Sequence, residues 1–122
     1  METRQYRILV ADDDPQILKL FTRLLHQGGY SVTAVNSGAD AMKILQGESV
    51  DLFILDLSMP EPDGFELLRS LREQKPGLRI LVISGYMQGA LLKASEMLGA
   101  AASLSKDDAP KLLVKTVDHL LN

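Results

Sequence analysis

The chain has 122 residues, 46% of them hydrophobic and 24% charged, with a formal net charge of −3 and no cysteine. That length and apolar content suit one folded domain over residues 1–122, able to bury roughly two thirds of its unfolded surface. Zero cysteine excludes disulfides and thiol chemistry and fits a reducing cytoplasm; the acidic balance leaves no basic footprint for nucleic acid, and no segment reaches the roughly 20 apolar residues of a membrane span.

In chain order, the short apolar run 8–11 reads as a strand and is closed by three carboxylates, Asp12, Asp13 and Asp14. Residues 15–27 place Ile17, Leu18, Leu20, Phe21, Leu24 and Leu25 at three- and four-residue spacing, which predicts a helix. Asp14 is its expected cap, Pro15 fits its first turn, and Gly28-Gly29 ends it. A strand is expected over 31–35, then a helix over 38–46 capped by Ser37 and closed by Gly47. A second apolar strand, 50–56, again ends on a carboxylate, Asp56. A loop with Pro60, Pro62 and Gly64 leads to a helix over 65–74. Strand 79–84 and helix 89–98 follow, the helix stopped by Gly99, with Leu91, Leu92, Met97 and Leu98 spaced as core residues. A short strand over 101–105 and a helix over 110–121 complete the chain. His26 and His119 have no ligand-spaced neighbour and read as surface histidines.

Strands alternating with helices through short connections predict an α/β fold: a five-stranded parallel sheet flanked by five helices through right-handed crossovers. The unbroken apolar runs 52–55 and 80–83 suit central strands covered on both faces. The flavodoxin-like strand order 2-1-3-4-5 sets the tips of the first and third strands side by side, so Asp12, Asp13 and Asp56 should meet at one crevice. Unit charges about 4 Å apart at an effective dielectric near 20 interact by roughly 4 kcal/mol, more than one lysine can offset for three carboxylates. A divalent ion that prefers oxygen ligands, Mg2+ or Mn2+, fits such a crevice, and a carboxylate there can act as a nucleophile toward phosphorus.

The residues then carry a resemblance. Residues 8–15, Asp56-Leu57-Ser58-Met59-Pro60 with Asp63-Gly64, Val82-Ile83-Ser84-Gly85, and Gly99-Ala100 leading to Lys106 resemble the receiver domain of two-component response regulators over nearly the whole chain. The stretch that starts at Asp56 is its most specific part. The resemblance implies that Asp56 accepts a phosphoryl group from a sensor histidine kinase, a phosphotransferase or a small phosphodonor. It implies that Asp12, Asp13, Asp56 and the Ser58 backbone carbonyl hold Mg2+, that Ser84 is the switch hydroxyl, and that Lys106 pairs with the phosphoryl group. It also implies a signalling domain rather than an enzyme, acting on a downstream partner or an effector domain absent from this chain, with phosphorylation-dependent dimerisation as one output. The kinase-facing surface is expected around Pro15, Gln16, Ile17 and Leu20.

The chain departs from the family pattern at Ser103, where the family usually has a signal-relaying Tyr or Phe, and at Asp107, where it usually has proline after the site lysine. Gly85 stands in place of a common alanine and is expected to loosen the following loop. Tyr86 is expected to shield the acyl phosphate from water and lengthen its lifetime. Two other function classes compete with the switch. Ser103 favours a receiver-like interaction module independent of phosphorylation. Asp12-Asp13-Asp14 after a strand also spells the D-x-D of a haloacid-dehalogenase-type phosphatase, against which stand Gln16, where Thr or Val is expected, and the short chain.

Overall fold

A computed structural model describes residues 5–58, 64–85 and 89–122. In order these form β1 (Arg7–Ala11), α1 (Pro15–Gln27), β2 (Ser31–Val35), α2 (Gly38–Gly47), β3 (Leu52–Asp56), α3 (Gly64–Gln74), β4 (Arg79–Ser84), α4 (Gly89–Met97), β5 (Ala102–Ser105) and α5 (Ala109–Leu121). The strands make one sheet in the order β2-β1-β3-β4-β5, and every pairing is parallel. This is the flavodoxin-like arrangement expected from the alternation of elements.

Strand alternation sends Ile8, Val10, Leu52 and Ile54 to one face, where Phe21 and Leu25 of α1 and Leu113 and Val117 of α5 cover them. Leu9, Ala11, Phe53 and Leu55 go to the other, under Ala41 and Leu45 of α2 and Leu67, Leu68 and Leu71 of α3. β3 is buried along its whole length, as its unbroken apolar run requires. Helix starts are held by side chains. The Gln16 N–H donates to Asp14 Oδ1 (2.9 Å), and the Asp40 N–H donates to Ser37 Oγ (3.1 Å), caps worth about 1 kcal/mol each. No helix among the described residues is long and apolar enough to cross a membrane.

Element ends differ from expectation where tertiary contacts decide them. The Arg7 N–H donates to Asp51 Oδ2 (2.8 Å) and the Asp51 N–H donates to Arg7 O (2.8 Å), so Asp51 serves as an anchor and β3 begins at Leu52, not at residue 50. β1, α3 and α5 each start one residue earlier than expected and β5 one later; α2 ends one residue later and α4 one earlier. Met97 corrects a core assignment: it is 88% exposed, because it ends a nine-residue helix on the side away from the sheet, while its neighbour Leu98 packs against the core.

Two glycines are imposed by close approach. Gly99 has φ +111°, and a Cβ there would lie 2.1 Å from Arg72 Cδ. Gly64, the first residue of α3, sits so near the turn after β3 that a Cβ would stand 2.8 Å from Leu57 Cα, a backbone atom with no rotamer to escape into. Gly64→Ala is therefore expected to cost about 1–3 kcal/mol by overpacking, read as a lower urea midpoint. An unchanged midpoint would show that the approach of α3 to Leu57 is not tight.

Candidate functional site

The register Ala11↔Leu55 places Asp12 and Asp56 side by side, one step past the β1–β3 ladder. Two backbone bonds hold the tips: Asp12 N–H to Val35 O (3.2 Å) and Leu57 N–H to Ile83 O (2.9 Å). Asp12 and Asp56 are each 1% exposed, whereas alternation turns Asp13 out to solvent. Asp12, Asp13 and Asp56 nevertheless each offer a carboxylate oxygen, and the three oxygens lie within 4.8 Å of one another. The three acids expected to meet do meet.

Local backbone aims the two buried carboxylates. The Asp14 N–H donates to Asp12 Oδ1 (2.9 Å) and the Ser58 N–H donates to Asp56 Oδ1 (2.8 Å), so each acid binds the amide two residues on. Lys106 enters from the β5 side: its N–H donates to Ser84 O (2.9 Å), and its Nζ stands 3.2 Å from Asp56 Oδ2 and 3.5 Å from Asp12 Oδ2. Gly85 lies against the lysine stem: a Cβ there would come within 3.2 Å of Lys106 Cδ, so an alanine would ask that flexible stem to shift slightly.

One ammonium cannot satisfy this cluster. Asp12 Oδ2 is buried and accepts no hydrogen bond among the described residues. Burial, together with the nearby charge of Asp56, raises the Asp12 pKa from 3.8 to about 6, against the lowering pull of the Asp14 amide and of Lys106. Burial pulls the Lys106 pKa down, but the two carboxylates outweigh it and the net shift is upward. A buried oxygen that accepts no hydrogen bond, three convergent carboxylates and donors that are all oxygen fit a divalent cation such as Mg2+.

The raised Asp12 pKa has a consequence for stability. A carboxyl that holds its proton more tightly when folded stabilises the fold fully below its unfolded value of 3.8 and loses that contribution as pH rises through about 6. A carboxyl raised from 3.8 to about 6 is worth about 3 kcal/mol, so the metal-free protein should lose up to about that much between pH 4 and pH 7 relative to Asp12→Asn, which has no such proton. Chemical denaturation of both proteins in chelator across that range checks this; parallel stability curves would contradict it.

Ser84 ends β4, is 1% exposed, and pairs with Ser105 one step beyond the Asp56↔Ile83 rung, so it belongs to the same crevice. Ser58 is half-buried and its amide already serves Asp56. Pro15 and Gln16 are exposed, while Ile17 and Leu20 are half-buried against the core. His26 and His119 are exposed. Met59, Pro60, Pro62, Asp63 and Tyr86 lie outside the described residues. A contact missed from sequence lies at Ser103, whose Oγ donates to Glu96 Oε2 (2.6 Å), tying β5 to α4. The two residues sit on different elements, and only the α4–β5 packing brings them together.

Residues 8–118 match the response regulator receiver domain family. The chain is 37% identical over 115 residues to the response regulator receiver protein CpdR of Brucella abortus, covering 94% of this chain and 96% of that one. It is 32% identical over 121 residues to the transcriptional regulatory protein GlrR of Escherichia coli, where the match covers 99% of this chain but only 27% of the relative. Among solved structures, the receiver domain of the Francisella response regulator 1452 superposes with a TM-score of 0.90 at 25% identity, covering 96% of this chain and 97% of that one.

Proposed function

Because the chain belongs to the response regulator receiver domain family, the phosphoacceptor switches of two-component signalling, we propose that Asp56 is the residue that takes the phosphoryl group. The observation that carries this reading is a buried carboxylate at a central strand tip, 3.2 Å from a lysine ammonium and within 4.8 Å of two further acids. An Asp56 oxygen forms a bond to phosphorus as the phosphorus–nitrogen bond of a phosphohistidine breaks and the imidazole leaves with the electron pair. With acetyl phosphate, a phosphorus–oxygen bond breaks and acetate leaves. The product is a mixed anhydride on Asp56.

The acyl phosphate brings up to about two negative charges and three acceptor oxygens to the crevice. Lys106 turns its ammonium from the carboxylates to a phosphoryl oxygen, and the Ser84 hydroxyl donates to another. Asp12, Asp13, Asp56 and the Ser58 carbonyl would hold Mg2+, with Mn2+ as a substitute. When bound, the ion supplies positive charge that offsets the phosphoryl oxygens. Tyr86 lengthens the lifetime of the phosphoryl group by limiting water.

Residues 1–122 act as one cytoplasmic receiver, phosphorylated by a sensor histidine kinase or phosphotransferase that docks near Pro15, Gln16, Ile17 and Leu20. Its own chemistry is limited to self-phosphorylation from small donors and self-dephosphorylation. Its output runs through a separate partner protein or an effector domain absent from this chain, and dimerisation on phosphorylation belongs to either. A second reading, an interaction module independent of phosphorylation, draws on the Ser103–Glu96 bond at the usual aromatic position. Incubation with Mg2+ and acetyl phosphate tests the first. One phosphoryl group per chain supports the switch, none supports the module, and repeated turnover through Asp12 supports a phosphatase.

A further inference from the structure

We infer that the outer edge of β2, with the cationic face of α1 beside it, is a docking groove for an extended partner segment carrying carboxylates at alternate positions. β2 is the last strand of the sheet. The Ser31 N–H donates to Tyr6 O (2.9 Å), and Val35 O accepts from the Asp12 N–H (3.2 Å), so residues 31 and 35 face β1. Alternation then turns the N–H and C=O of Val32 and Ala34 outward, where no described strand pairs with them. Natural edges are usually blunted by charge, proline or a bulge. The β2 sequence Ser-Val-Thr-Ala-Val contains no charge and no proline, and its middle residues Thr33 and Ala34 are exposed. Such a strand can accept another by main-chain hydrogen bonding.

The chemistry of the occupant is set by α1. A groove of about 500 Å³ opens between α1 and β2, lined by Leu18, Thr22 and Ala34 together with Lys19, Arg23 and His26. The helix carries no acidic residue, although the chain as a whole is net negative. Lys19 and Arg23 are exposed and have no ion-pair partner among the described residues. Like charges four apart weaken a helix slightly, so the charges of this pair do not support α1 itself. Four helical residues rise about 6 Å and two strand residues span about 6.6 Å, so carboxylates at alternate strand positions match the Lys19–Arg23 spacing. Glutamate methylenes suit Leu18 and Ala34. A second copy of this chain is a poor occupant, because it would bring the same cations to the seam.

The test uses the full chain labelled with 15N and a probe peptide of eight residues alternating valine and glutamate, with the lysine-for-glutamate peptide as control. The acidic peptide should shift the Val32 and Ala34 amides and bind at least about tenfold more tightly than the control. Ala34→Pro, which removes an outward N–H, should abolish that binding. Lys19→Glu with Arg23→Glu, which leaves the edge intact, should reverse the preference between the peptides. Phosphorylation from acetyl phosphate should be unchanged in the double variant. Equal binding of the two peptides, shifts confined to residues around Asp56, no shift at about 1 mM peptide, or pairing of two copies through β2 would each overturn the proposal.

Discussion

Asp56→Asn is expected to take up no phosphoryl group from acetyl phosphate or from a phosphorylated kinase, while the parent takes one per chain. The amide is nearly isosteric and its oxygen can still accept the Ser58 N–H, which in the parent meets Asp56 Oδ1 at 2.8 Å, so the loop after β3 should keep its shape. What disappears is the anionic oxygen that attacks phosphorus. Intact-mass measurement reads the result directly, and the variant's urea midpoint confirms that the fold survives. Uptake by Asp56→Asn equal to the parent would move the acceptor to another residue. Uptake by neither protein, with Mg2+ present, would favour the phosphorylation-independent reading.

Lys106→Met should produce the largest change in stability. The substitution removes the ammonium that stands 3.2 Å from Asp56 and 3.5 Å from Asp12 and leaves two carboxylates, each 1% exposed, without a cation. Breaking a buried ion pair from one side costs on the order of 3 kcal/mol, because the remaining charge is neither hydrated nor paired. A divalent cation supplies the lost positive charge, so most of the deficit should vanish in saturating Mg2+. The difference in urea midpoint between chelator and Mg2+ should therefore be much larger for Lys106→Met than for the parent. A deficit of the same size with and without the ion would mean that the three acids do not share one cation site. Phosphoryl uptake should also slow, since the donor that meets the developing charge has gone.

The strand order and the meeting of the three acids were legible because they follow from topology: two acid-tipped strands that are neighbours in a parallel sheet must bring their ends together. Asp14 and Ser37 could be read as caps because capping is local, settled within three residues. What stayed hidden depends on tertiary proximity. Nothing in Asp12-Asp13 tells which side chain is buried; the register against Leu55 puts Asp12 inside and Asp13 outside. Lys106 could be assigned to the phosphoryl group by resemblance, but its simultaneous pairing with both Asp12 and Asp56 is a fact of distance. Backbone freedom is what the sequence offers at Gly85; its closeness to the Lys106 stem is a fact of packing. Met97 shows the limit of periodicity, which picks out a helix face without saying where the sheet beneath that helix stops. Asp51 likewise sits in an apolar run that reads as strand, yet its side chain is drawn to the Arg7 amide.

The most direct test of the account is chemical mapping of the acceptor. The chain is incubated with Mg2+ and acetyl phosphate, any acyl phosphate is reduced with borohydride to the corresponding alcohol, and the digested peptides are sequenced by mass spectrometry. Homoserine at position 56, absent when the divalent ion is chelated, is the predicted result. Homoserine at position 12 or 13 instead, or labelling of Asp56 that is indifferent to chelator, would contradict a cation-holding pocket built around that aspartate.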